Sequence, residues 1–211
     1  MAKIEMADVF AAGRRRRRGT LYAYRVRGLG RNAVVLWVGG EGDEPDRVVA
    51  LPEADRCQVP VFTTVRQARV YASRRGRGLA TPEADILELT RVQHWLEDPV
   101  RRRVSSGAVL EAWNFFEDLA RGLSEVHRLP EQSAVHNSAY EKLFGDEHAA
   151  WTPAEKRAVL ELLRAGIELW NSCPVIVKPC SSIVFDSGRL PRSTSSSKAG
   201  FANTTSSAGT A

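Results

Sequence analysis

Between Glu111 and Glu168 the chain carries eleven acidic side chains against six Lys and Arg. The same stretch has helical apolar spacing, so its acids belong on the solvent side of helices. Carboxylates held on rigid helices match a basic protein surface and repel phosphate. Glu117, Asp118, Glu125, Glu141, Asp146 and Glu147 are therefore the candidate partner-binding residues. Phe115 lies off the apolar stripe formed by its neighbours, which makes it a candidate aromatic anchor at that surface.

The opposite charge is concentrated in Arg14-Arg15-Arg16-Arg17-Arg18, a run suited to salt-sensitive contact with phosphates. No aromatic residue interrupts it, so it reads as a solvated leader, with nucleic-acid contact as the alternative. Gly28-Leu29-Gly30-Arg31-Asn32-Ala33 spells a dinucleotide-binding fingerprint. That chemistry needs a helix next, whose N-terminus takes the pyrophosphate, yet Val34-Val35-Leu36-Trp37-Val38 is strand-like. The glycines are read as turn residues.

His94, His127, His136 and His148 share no metal-ligand spacing with one another or with Cys57, Cys173 and Cys180. His127 and His136 bracket a loop with Glu125 and Glu131, an acid–base pair only if the fold encloses them. No Gly-x-Ser-x-Gly elbow occurs. No catalytic residue, metal ligand or cofactor is assigned.

Charge is also segregated along the chain. The formal net charge is +5, but the first 31 residues carry nine Lys and Arg against Glu5 and Asp8. The last 34 carry four against Asp186, leaving the body from Asn32 to Val177 acidic. No apolar run approaches a membrane span, and charges follow Arg18 where a signal peptide would be apolar. The expected location is cytoplasmic, with reduced thiols and no membrane partner.

These residues must be positioned by an α+β fold: a small N-terminal antiparallel sheet of three or four strands, then a mainly helical layer. Residues 1–18 form a flexible basic leader, 19–178 one α+β domain (sheet 19–63, helices 64–172), and 179–211 a disordered Ser/Thr/Gly/Ala-rich tail. Leu21–Arg27 and Ala33–Val38 read as a hairpin, Arg47–Leu51 as a third strand and Gln58–Phe62 as a fourth. Thr64-x-x-Gln67 opens a helix, and Thr81-Pro82 opens another with Ile86, Leu89, Val92 and Leu96 on one face. Val109, Trp113, Phe116, Ala120 and Leu123 define a buried stripe from about Ser106 to Leu123. Val135, Ala139, Leu143 and Phe144 mark a shorter helix. Thr152-Pro153-Ala154-Glu155 caps a last one, carrying Val159, Leu162, Leu163, Ile167 and Trp170.

A small sheet followed by acidic helices resembles bacterial immunity and inhibitor proteins in size and charge. The expectation is a protein-binding module whose acidic helical face holds a basic protein, in the immunity case a toxin. A nucleic-acid-associated protein using Arg14 to Arg18 is the first alternative, and an enzyme with an unrecognised pocket the second.

Overall fold

The computed structural model describes residues 19–52, 57–145 and 150–177, all within one compact unit, Met1–Pro179. The Arg14–Arg18 run, Asp146, Glu147, His148, Cys180, the leader and the tail lie outside the described residues. The architecture is the expected α+β class.

β1 (Thr20–Gly28) and β2 (Arg31–Gly39) pair antiparallel from Thr20↔Gly39 to Gly28↔Arg31. Only Leu29 and Gly30 remain for the turn, and Gly30 takes a φ of +73°, which a side chain would resist. The glycines thus reverse a hairpin, and a strand stands where a dinucleotide site needs a helix. Side chains alternate strictly. Leu21 and Ala23 of β1 join Val34, Leu36 and Val38 of β2 on one face, while Val26 joins Ala33 and Val35 on the other. Both faces are covered, which explains why β2 is an unbroken apolar run rather than an alternating one.

β3 (Arg47–Val48) extends the hairpin beyond β2, and β6 (Asp85–Glu88) lies parallel to β1, so the sheet order is β3-β2-β1-β6. β6 corrects the expected helix starting at Thr81-Pro82. The apolar spacing there admitted Ile86 to a helical face, but Ile86 is 53% exposed and Leu87 is the buried residue. Pairing with the free edge of β1 satisfies this backbone, and the helix begins only at Leu89. The expected third strand also divides. Leu51–Pro52 (β4) leaves the first sheet to pair with β5 (Cys57–Val61), which takes β7 (Pro174–Ile176) as a parallel neighbour. Reciprocal bonds between Val34 and Phe62, at 2.8 and 2.9 Å, link the two sheets.

Among the described residues there are five α-helices, and all but the one that begins at Leu89 start where their sequence signals lie. α1 (Val65–Ser73) is capped by Thr64, whose hydroxyl accepts from the Gln67 N–H at 3.2 Å. α2 spans Leu89–Glu97, and α3 spans Ser106–Leu123 behind Ser105, whose hydroxyl accepts from the Ala108 N–H. α4 covers Ala134–Phe144. α5 (Pro153–Ser172) opens with the reciprocal Thr152–Glu155 capping box.

The sheet is the middle layer. α1 covers one face through Ala68, Tyr71 and Ala72. α2, α3 and α5 bury the other with Trp95, Trp113, Phe116, Leu162 and Trp170. α3 is central, and two glycines set its distance from its neighbours. A Cβ on Gly122 would run into the Val48 carbonyl of β3, and one on Gly166 of α5 into the Phe116 ring.

Candidate functional site

α3 does not seal its face of the sheet completely. Glu111, Asn114, Asp118 and Arg121 recur at helical spacing and look toward β1, β2 and β6 across a cavity of about 520 Å³. The strands supply Tyr24 and Trp37 as an aromatic wall, with ring centroids 4.5 Å apart, and Trp37 rests in turn on Phe115 at 6.1 Å. Asp85 enters because β6 is in parallel register with β1, which sets it beside Tyr24. Asp46, just before β3, completes the rim. The cleft therefore gathers four carboxylates around two aromatic rings, with Arg121 as the one base of its lining among the described residues. The indole N–H of Trp37 is buried and has no hydrogen-bond partner among the described residues.

Arg121 organises the deep end. It donates to the Asp46 carbonyl at 2.9 Å and to Glu117 at 2.8 Å, and forms an ion pair with Asp118. Glu117 also accepts from the Trp113 indole at 2.6 Å and from Gln132, so its carboxylate is committed to the wall behind the cleft. Asp118 is 4% exposed. Burial pushes its carboxyl up to about 7; the Arg121 charge and hydrogen bond oppose this, while Asp46 and Glu117 add to it. Tyr24 is raised above the ordinary phenol range by burial first, then by Asp85 and Asp46. At neutral pH Asp118 is thus near half-ionised.

Of the acids and the aromatic ring selected from sequence, those among the described residues separate in space. Asp118 alone lines the cleft. Glu117 lies behind it, Glu125 pairs with Arg128 at 2.9 Å, and Glu141 stands exposed on α4. Asp146 and Glu147 are outside the described residues. Phe115 requires a correction: it has no exposed surface and packs among Trp37, Phe116 and Trp170. The residue off the expected stripe faces the core because α3 is apolar over more than half its circumference, with sheet on one side and α5 on another. Asp118 is corrected likewise, from a solvated acid to a buried one. Of the histidine loop, His127 and Glu131 line a second cavity of about 480 Å³ together with Glu117, whereas His136 turns back to the Ser133 hydroxyl at 3.0 Å, at the start of α4.

Asp46, Asp85, Glu111, Asn114, Tyr24 and Trp37 were not expected as site residues. The spacing of Glu111, Asn114 and Asp118 was visible on α3, but their partners come from three strands whose order no local pattern reports. Among the described residues, no three His, Cys, Asp or Glu side chains come together as a metal ion would need, and no helix is long and apolar enough to cross a membrane. Comparison with known proteins gave no matching family model, no matching curated protein and no matching solved structure.

Proposed function

We propose that the protein is a binding module that receives a basic group of a protein partner in the cleft between α3 and the sheet. The observation that carries this reading is the convergence of Asp46, Asp85, Glu111 and Asp118 on the Tyr24–Trp37 wall. A guanidinium or ammonium gains from carboxylates at the rim and from aromatic faces beside them. The partnerless Trp37 indole N–H offers a donor to a carbonyl next to that cation, an arrangement a peptide chain supplies. Because Asp85 sits on a strand, Glu111 and Asp118 on a capped helix, and Asp46 is held in its loop by the Gly40 N–H at 2.7 Å, little ordering entropy is lost on binding. An immunity-type role, in which the basic partner is a toxin, is a special case of this reading.

A second reading rests on Asp118 alone. A carboxyl raised to about 7 in a cleft has the pKa of a general acid–base group. Among the described residues the lining holds no Ser, Thr, Cys, Lys or His to work with it, so binding has the stronger support.

The test uses Asp85 and Glu111, both exposed, so that their replacement leaves the fold intact. Asp85→Asn with Glu111→Gln should weaken binding of a Lys/Arg-rich peptide about tenfold and flatten its salt dependence. Undiminished peptide binding by the double variant overturns the reading, as does capture of nucleic acid in place of the peptide.

A further inference from the structure

The α1 face of the sheet carries a concavity of opposite charge. A groove of about 680 Å³ runs between Leu21, Leu36 and Leu51 of the strands and the end of α1, where Arg74, Arg75 and Arg77 line it. The turn that places them is well defined: Arg74 N–H bonds to the Val70 carbonyl at 3.1 Å, and Arg75 and Arg77 N–H to that of Ala72 at 2.9 and 3.1 Å. Gly76 sits between them at a φ of +70°. No carboxylate pairs with any of the three arginines among the described residues. Arg77 instead donates to the Gly19 carbonyl, and Arg75 lies over the Tyr71 ring, 3.6 Å from its centroid.

Cations at a helix C-terminus complement the helix dipole, and that alone would account for three arginines there. It does not account for the apolar strand wall they face, nor for Tyr71. Tyr71 lines the groove, is 9% exposed and packs on Phe62 at 5.0 Å, yet its hydroxyl has no hydrogen-bond partner among the described residues. Buried hydroxyls are ordinarily satisfied, and one left open beside unpaired guanidinium groups is a donor awaiting an acceptor. Burial raises the phenol above its ordinary range, which keeps that proton in place.

We propose that this groove binds a small carboxylate with an apolar body. The carboxylate takes the Arg74 and Arg75 guanidinium groups and the Tyr71 hydroxyl, and the body lies on Leu21, Leu36 and Leu51. Guanidinium and carboxylate match in planar, two-point geometry, and the volume is that of an ordinary small-molecule site. A polyanion is the poorer fit, because the groove is arginine on one wall only and apolar on the other.

Calorimetric titration of the full chain with decanoate, kept below its micellar concentration, tests this. Decanoate should bind, and decanol and inorganic phosphate should each bind at least about tenfold more weakly, since each lacks half of the recognised chemistry. Arg74→Ala with Arg75→Ala, both exposed positions, should cost about tenfold or more in decanoate affinity. Tyr71→Phe should weaken decanoate several-fold while leaving the unliganded melting temperature unchanged or higher, because the lost hydroxyl had no partner. Failure of decanoate to bind, phosphate binding as tightly as decanoate, or equal affinity in the double arginine variant would each overturn the proposal. Displacement of decanoate by a single-stranded oligonucleotide would also overturn it, and would make this a nucleic-acid face.

Discussion

The two faces of the β3-β2-β1-β6 sheet are built from the same two long strands, yet they present opposite charges. Tyr24 and Trp37 line the α3 side, under Asp46, Asp85, Glu111 and Asp118. Leu21 and Leu36, from the same strands, line the α1 side under Arg74, Arg75 and Arg77. Strand alternation decides which side chains each face receives, and the covering helix decides the sign of its rim. Asp85 is fixed by strand pairing and Glu111 and Asp118 by α3, whereas the arginines hang from a helix end. Net charge alone, +5 for the whole chain, describes neither face.

Breaking the α3 side should have the largest effect. Trp113 is 1% exposed, packs against His136 and Tyr140, and donates to Glu117. Trp113→Ala should cost about 3–5 kcal/mol, read from the denaturation midpoint, through both cavity and lost hydrogen bond. A loss below about 1 kcal/mol would show that α3 is not the centre of the fold.

A smaller change separates the faces. Gly122→Ala drives a methyl into the Val48 carbonyl and should lift α3 from β3, costing about 1–3 kcal/mol. Peptide binding in the acidic cleft should fall while decanoate binding on the α1 side stays at the wild-type value. If both fall together, the two faces are not independent.

The pH dependence sharpens the comparison further, and two carboxyls should act with opposite sign. Asp118 has a folded pKa raised to about 7, so the folded state holds its proton after the unfolded state has released it. Its contribution to stability declines as pH rises from about 4 to about 7 and is flat above. Glu155 is pulled down to about 2 by hydrogen bonds from Lys142, Ser138 and Thr152. Its contribution is present above the ordinary glutamate value and is lost as pH falls from about 4.3 to about 2. Asp118→Asn should abolish the decline toward neutral pH and leave the acid limb; Glu155→Gln should do the reverse. Urea midpoints measured from pH 2 to 8 check both, and a decline toward pH 7 that persists in Asp118→Asn would contradict the raised Asp118.

Local patterns made most of the helices legible: Thr64 and Thr152 cap where their spacing says, and the Val109–Leu123 stripe is buried as read. The hairpin was equally visible in its glycines and apolar run. β6 and β7 were not, because a four- or three-residue parallel strand is specified by the edge it joins rather than by its own residues. The site was lost for the same reason. Asp46 and Asp85 reach Asp118 only through sheet order, and Phe115 and Asp118 could be placed only once both the sheet and α5 were known to cover α3.

The parallel pairing of β5 with β7 has a consequence for synthesis. Val59 is bonded beside Pro174, so an early strand waits for almost the last described residues before its second edge is filled. Long loop closures of this kind slow folding and postpone its completion. As the chain leaves the ribosome, the β1–β2 hairpin can form at once, but β5 keeps an open strand edge until α5 has emerged. During that interval it is a place where a chaperone, or another nascent copy, finds unpaired backbone.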